Sequence, residues 1–136
     1  MVTINSRYEG DLRCTATHEP SGEKVMTDAP VDNHGRGESF SPTDLVAASL
    51  ANCMMTIMGI TAERHSINLV GTTVSIIKKM SGDSPRRIIS LRSIMTIPLP
   101  ASHPGRALLE GAANSCPVKQ SLSPEIDSTV EFRWVG

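Results

Sequence analysis

Two cysteines stand in settings where a thiol can do chemistry. Cys53 lies near the middle of an apolar stretch, residues 41–62, that reads as one helix. Cys116 directly precedes Pro117 and so stands at the start of a second, short helix over 117–122. A thiol at a helix start faces unpaired backbone N–H groups and the positive end of the macrodipole, and both favour the thiolate. One thiol in a core helix and another at a helix start suit a two-step redox site. The competing reading is plain packing, because free cysteines commonly serve as small buried hydrophobes.

The remaining reactive residue types carry less. Cys14 falls in a strand pattern and reads as structural. His18, His34, His65 and His103 show no metal-ligand spacing with one another or with a cysteine pair, so no metal and no cofactor is expected. There is no phosphate-binding glycine loop, dinucleotide fingerprint or Ser/His/Asp pattern. A polar loop, residues 32–38, carries Gly35, Arg36 and Gly37 immediately before the core helix. Such a loop can bring backbone and one arginine to a site, or serve only as a connector.

The elements that must position the thiols follow from pattern. Residues 7–9 and 12–18 flank Gly10-Asp11, a turn, and Pro20-Ser21-Gly22 is a second turn before a strand at 23–27. The core helix starts with Ser41 as N-cap, Pro42 at N1 and Asp44 at N3, an approximate capping box. From Leu45 to Ile60 its apolar residues cover nearly the whole circumference, interrupted by Ser49, Asn52 and Thr56. A helix apolar all round must be buried all round, which predicts a second subunit. Two β patterns, 68–78 and 87–99, form a long hairpin about the turn 81–85. A helix over 105–114, with Arg106 and Glu110 spaced to pair, leads to the Cys116 helix and a last strand at 128–134. The order is α+β rather than alternating βαβ.

Composition narrows the function classes. At 136 residues the chain reads as a single domain, 1–136, with 39% apolar and 20% charged residues. A net charge of −1 with both signs intermixed gives no electrostatic reason to expect nucleic acid or an anionic membrane. Two Phe, one Tyr and one Trp are too few for a base-stacking surface. No uninterrupted apolar run reaches the roughly 20 residues of a membrane span. The first residues lack the basic start and apolar block of a signal peptide, and three cysteines are an odd count. The expectation is a cytoplasmic protein whose thiols rest reduced.

The segment Phe40-Ser41-Pro42-Thr43-Asp44-Leu45-Val46-Ala47-Ala48-Ser49-Leu50-Ala51-Asn52-Cys53 resembles the signature helix of the OsmC/Ohr family, the osmotically inducible and organic hydroperoxide resistance proteins. Ala113-Asn114-Ser115-Cys116-Pro117-Val118 resembles that family's second cysteine segment. The resemblance implies antiparallel sheets with a buried central helix in an intertwined homodimer, with active sites at the subunit interface. It also implies a thiol peroxidase. Cys53 would attack the O–O bond of an organic hydroperoxide and become a sulfenic acid. Cys116 would resolve that acid as a disulfide, which a dithiol or lipoylated-protein reductant then opens. Met54, Met55 and Met58 would line an apolar site favouring organic peroxides.

Two positions depart from the better-known branches of that family. Thr43 stands where they carry a glutamate, and Asp44, the next residue, is either a substitute for it or only the capping acid. The activating arginine those branches supply from the N-terminal β region matches Arg36 or Arg13 here. The alternative function is a non-catalytic dimer that binds a small hydrophobic ligand.

Overall fold

The computed structural model describes residues 1–136, with six strands and three α-helices. The chain divides into two compact units, Met1–Val46 and Ala47–Gly136.

In the first unit β1 (Ile4–Gly10), β2 (Arg13–His18) and β3 (Lys24–Asp28) form an antiparallel meander with β2 in the middle. The first turn lies one residue later than the Gly10-Asp11 pair suggests. Asp11 and Leu12 take φ of 53° and 61°, the left-handed geometry whose twist suits a tight hairpin. After β3 the polar loop folds on itself through a 3-10 turn, Val31–Asn33. A Cβ on Gly35 would sit 1.7 Å from the Ala29 carbonyl oxygen, so only glycine fits there. Every residue of β1 except Gly10 is exposed, as are Val25, Met26 and Phe40.

Helix α1 (Pro42–Arg64) begins where the capping pattern predicts. Its buried residues, Ala47, Leu50, Ala51, Met54, Met58 and Ala62, recur at three- and four-residue steps and make one stripe. Within one chain the rest of the helix is not buried: Leu45, Cys53 and Met55 are half-buried and Ile60 is 43% exposed. By length and composition alone α1 would suffice to cross a membrane, as the core helix of a soluble protein also can, though Ser49, Asn52 and Thr56 interrupt its apolar run.

The second unit holds β4 (Thr73–Met80), β5 (Ile88–Ile97) and β6 (Val130–Trp134), with β5 in the middle. β4 and β5 are the expected antiparallel hairpin. β6 runs parallel to β5, which requires a long crossover, supplied by α2 (Arg106–Asn114) and α3 (Pro117–Ser121). β5 alternates cleanly: Leu91, Ser93, Met95 and Ile97 are buried, while Arg92 faces water. These residues, the α1 stripe, and Leu109 and Ala113 of α2 make the core. Each wholly buried Leu, Ile or Met there contributes about 1.5–3 kcal/mol. Val70, inside the 68–78 stretch read as the first hairpin strand, is 87% exposed. Gly71 turns the chain at φ 95° and the strand starts only at Thr73.

Candidate active site

The two thiols are neighbours. Cys53 is half-buried on α1, and its thiol acts electrostatically on Cys116, which is wholly buried. All three cysteines are free thiols. Cys14 sits in the middle strand of the first sheet, paired with Tyr8 on one side and Thr27 on the other.

Cys116 is held from several directions. It is the N-cap of α3, and its Sγ accepts the Lys119 N–H at 3.3 Å. Its own N–H donates to the Ala113 carbonyl at 3.3 Å, and its carbonyl accepts from Gln120 N–H at 3.1 Å. Pro117 at N1 removes a donor that would have had no partner. The Gln120 amide reaches back to the Asn114 carbonyl at 3.1 Å, so α3 is fastened to the end of α2. α2 in turn is locked to β6. Trp134 Nε1 and Arg106 Nε both donate to Glu110 Oε1, at 2.8 and 3.0 Å, and the Trp134 ring stacks on His103. The predicted Arg106–Glu110 pair is therefore part of a larger clamp.

The electrostatics differ from the expectation of a thiolate-favouring helix start. Burial pushes the Cys116 thiol above its ordinary pKa. The Lys119 N–H opposes this, the Cys53 thiol adds to it, and the Lys119 ammonium works to lower it. A five-residue helix offers one well-placed N–H rather than a full macrodipole, and desolvation wins. Cys116 rests as a protonated thiol.

The other candidates have defined surroundings. Ser41 N–H donates to Asp44 Oδ2 at 2.9 Å and Asp44 N–H to Ser41 Oγ at 3.1 Å, a complete reciprocal capping box. Thr43 Oγ1 lies 3.2 Å from Ser41 Oγ at the same helix start. Arg13 is engaged by the Glu38 carboxylate and by Asp28 at 3.7 Å, and these anions hold its guanidinium above its usual pKa. Asp28 is 2% exposed and also accepts the Glu38 N–H at 3.1 Å. Arg36 is exposed on the glycine loop and takes part in no ion pair. Met54 and Met58 are wholly buried, so of the three methionines expected to line an apolar site only Met55 is partly open. The stripe spacing of α1 claims the other two for the core.

Sequence reasoning overlooked Lys119. Its signal was available: it stands three residues after Cys116, the N3 position whose N–H an N-cap side chain captures. Asp28 and Glu38 were also missed. They meet Arg13 only because β2 and β3 pair and the loop folds back, and spacing along the chain carries no sign of that.

Comparison with known proteins identifies the family and the fold. Residues 35–131 match the family model described as OsmC-like protein. A protein from Psychrobacter arcticus described as an osmotic stress induced and detoxification response protein is 42% identical, over 97% of this chain and 96% of its own, with a TM-score of 0.90. The OsmC like protein from Mycoplasma pneumoniae is 15% identical over 100% and 98% of the two chains, TM-score 0.83. An organic hydroperoxide resistance protein OsmC from Legionella pneumophila is 17% identical over 98% and 97%, TM-score 0.74. No curated protein matches the chain. With a family model covering most of its length and a close structural relative above 40% identity, the chain belongs to the OsmC-like protein family.

Proposed function

We propose that this protein is a thiol-dependent peroxidase that reduces organic hydroperoxides through Cys53 and Cys116. The observation that carries the reading is a half-buried thiol neighbouring a wholly buried one. Cys53, the more accessible, attacks the peroxide O–O bond, releases an alcohol and becomes a sulfenic acid. Cys116, its neighbour, displaces water from that acid and closes a disulfide, which a dithiol or lipoylated-protein reductant reopens. Family membership supports the reading, as does the hydroperoxide-resistance role in the description of the Legionella relative. In the cytoplasm both thiols would rest reduced.

The working form we propose is a homodimer. An isolated three-stranded sheet with β1 exposed along its length has little apolar burial to hold it. Tyr8, Met26 and Phe40 are each more than half exposed, and the flanks of α1 are apolar. A second copy covering these surfaces would supply that burial.

Of the two candidate arginines, Arg13 is committed to Glu38 and Asp28, whereas Arg36 is exposed and takes part in no ion pair. Asp44 is assigned to the helix cap. The deciding experiment is hydroperoxide consumption with a dithiol or lipoylated reductant: wild type should turn over and Cys53→Ser should not. Equal rates in both would remove the peroxidase reading.

One observation favours a second reading, a binding role for a small hydrophobic molecule. A cleft of about 560 Å³ in the second unit is walled by Ile67, Leu99, Pro104 and Leu108, with His65 and His103 at its rim. Saturable binding of an apolar probe there, without peroxide turnover, would support it.

A further inference from the structure

We propose that Lys119 is the positioning residue for Cys116, holding the buried thiol beside Cys53 and compensating the negative charge that appears on its sulfur. The inference rests on the two-cysteine reading above and adds a residue to it.

Three contacts carry it. The Lys119 backbone N–H donates to Cys116 Sγ at 3.3 Å. Its Nζ donates to Asn114 Oδ1 at 2.8 Å, at the end of α2, and to the Ser128 carbonyl at 3.0 Å, just before β6. One side chain thus ties α3 to both neighbouring segments, and it is half-buried in doing so. Cys116 is the first residue of the strap so formed. The sulfur meets the Lys119 backbone N–H directly, and the ammonium of the same residue, anchored on Asn114 and Ser128, is the cation whose field reaches it.

Two chemical steps place charge on that sulfur. In the first, Cys116 loses its proton and its sulfur attacks the Cys53 sulfenic acid. An S–S bond forms, the S–O bond breaks, and the oxygen leaves as water with the proton Cys116 gave up. In the second, a dithiol reductant opens the disulfide. Its thiolate reaches Cys53 more readily than the wholly buried Cys116. The electron pair of the broken S–S bond then goes to Cys116, which leaves as a thiolate and takes up a proton. The second thiol of the reductant displaces Cys53 from the mixed disulfide, and the reductant departs as its own disulfide. A leaving thiol departs faster when its anion is stabilised, and a lysine beside it does this.

The test separates position from charge and from the peroxidase reading. Lys119→Gln keeps a side chain able to hydrogen-bond but removes the charge; Lys119→Arg keeps the charge. After one equivalent of cumene hydroperoxide, Lys119→Gln should consume peroxide as fast as wild type in the first turnover. It should close the Cys53–Cys116 disulfide about tenfold more slowly, the loss expected for one charge-assisted interaction. Dimedone should trap more Cys53 sulfenic acid, and Lys119→Arg should restore the rate. Independently, ultraviolet titration of the single remaining thiol in Cys14→Ser/Cys53→Ser should move to higher pH when Lys119→Gln is added and return with Lys119→Arg. An unmoved titration overturns the proposal whatever peroxide does. If wild type forms no disulfide with peroxide, the peroxidase reading falls, and the titration alone decides the role of Lys119.

Discussion

Cys53 and Cys116 are neighbouring thiols on two helices, one half-buried and the other wholly buried. In the proposed mechanism that asymmetry sets the order, because a peroxide or a reductant reaches the accessible sulfur first. One equivalent of an organic hydroperoxide should therefore link Cys53 to Cys116 and leave Cys14 free. Peptide mapping checks this, and Cys14 in the bridge would refute the pairing. Cys116→Ser should accumulate sulfenic acid on Cys53 and, with excess peroxide, sulfinic acid.

The pH dependence of resolution follows from the raised Cys116 pKa. Burial favours the protonated thiol, and the protonated thiol is not the attacking species. Disulfide closure in a rapid-mixing experiment should keep accelerating as pH rises past the ordinary thiol range. The linkage runs the opposite way for stability. With the folded pKa raised, this contribution is intact below the unfolded thiol's pKa and is lost as pH rises towards the folded value. A closure rate that levels off below the ordinary thiol pKa would show that Cys116 is not desolvated in solution.

Asp44 exchanges two hydrogen bonds with Ser41 at the start of α1, and we propose that capping is its role. Asp44→Ala should cost about 1 kcal/mol in denaturant unfolding, the loss of one arm of the capping box. It should leave the rate of Cys53 alkylation at neutral pH unchanged. Arg13→Ala, which strands the buried Asp28 carboxylate, should lower the melting temperature instead. Slower Cys53 alkylation in Asp44→Ala would reverse the assignment.

The Asp127 side chain orders the turn that leads into β6. Its carboxylate accepts the Thr129 hydroxyl at 2.6 Å and the Thr129 N–H at 3.1 Å, and these bonds hold its pKa below the usual carboxylate value. A depressed folded pKa contributes stability above the unfolded carboxylate pKa, and that contribution is lost as pH falls through the folded value. Asp127→Asn should therefore flatten the acid limb of the stability curve, measured as melting temperature against pH. An unchanged acid limb would mean the turn is held by backbone alone.

Assembly is open to direct measurement. Sedimentation at micromolar concentration should give a dimer, and Ile60→Lys on the exposed flank of α1 should weaken it. A compact wild-type monomer would remove the dimer proposal and leave the exposed residues of β1 unexplained.

Local chemistry in the sequence determined a good deal. Ser41, Pro42 and Asp44 specify a helix start because an N-cap, an N1 proline and an N3 acid satisfy the first N–H groups without outside help. Period-two and period-3.6 patterns gave the hairpin, the helices and the last strand to within a few residues. Pro117 marked the start of α3 and so the cap position of Cys116. What the tertiary structure decided depends on distance through space. Only packing sets how far Cys116 is desolvated, and it turned an expected thiolate into a protonated thiol. Likewise, spacing cannot show that β6 lies parallel to β5, that Arg13 is neutralised by Asp28 and Glu38, or that Met54 and Met58 are spent on the core. Each depends on which element covers which, and a periodic pattern names a buried face without naming what lies against it.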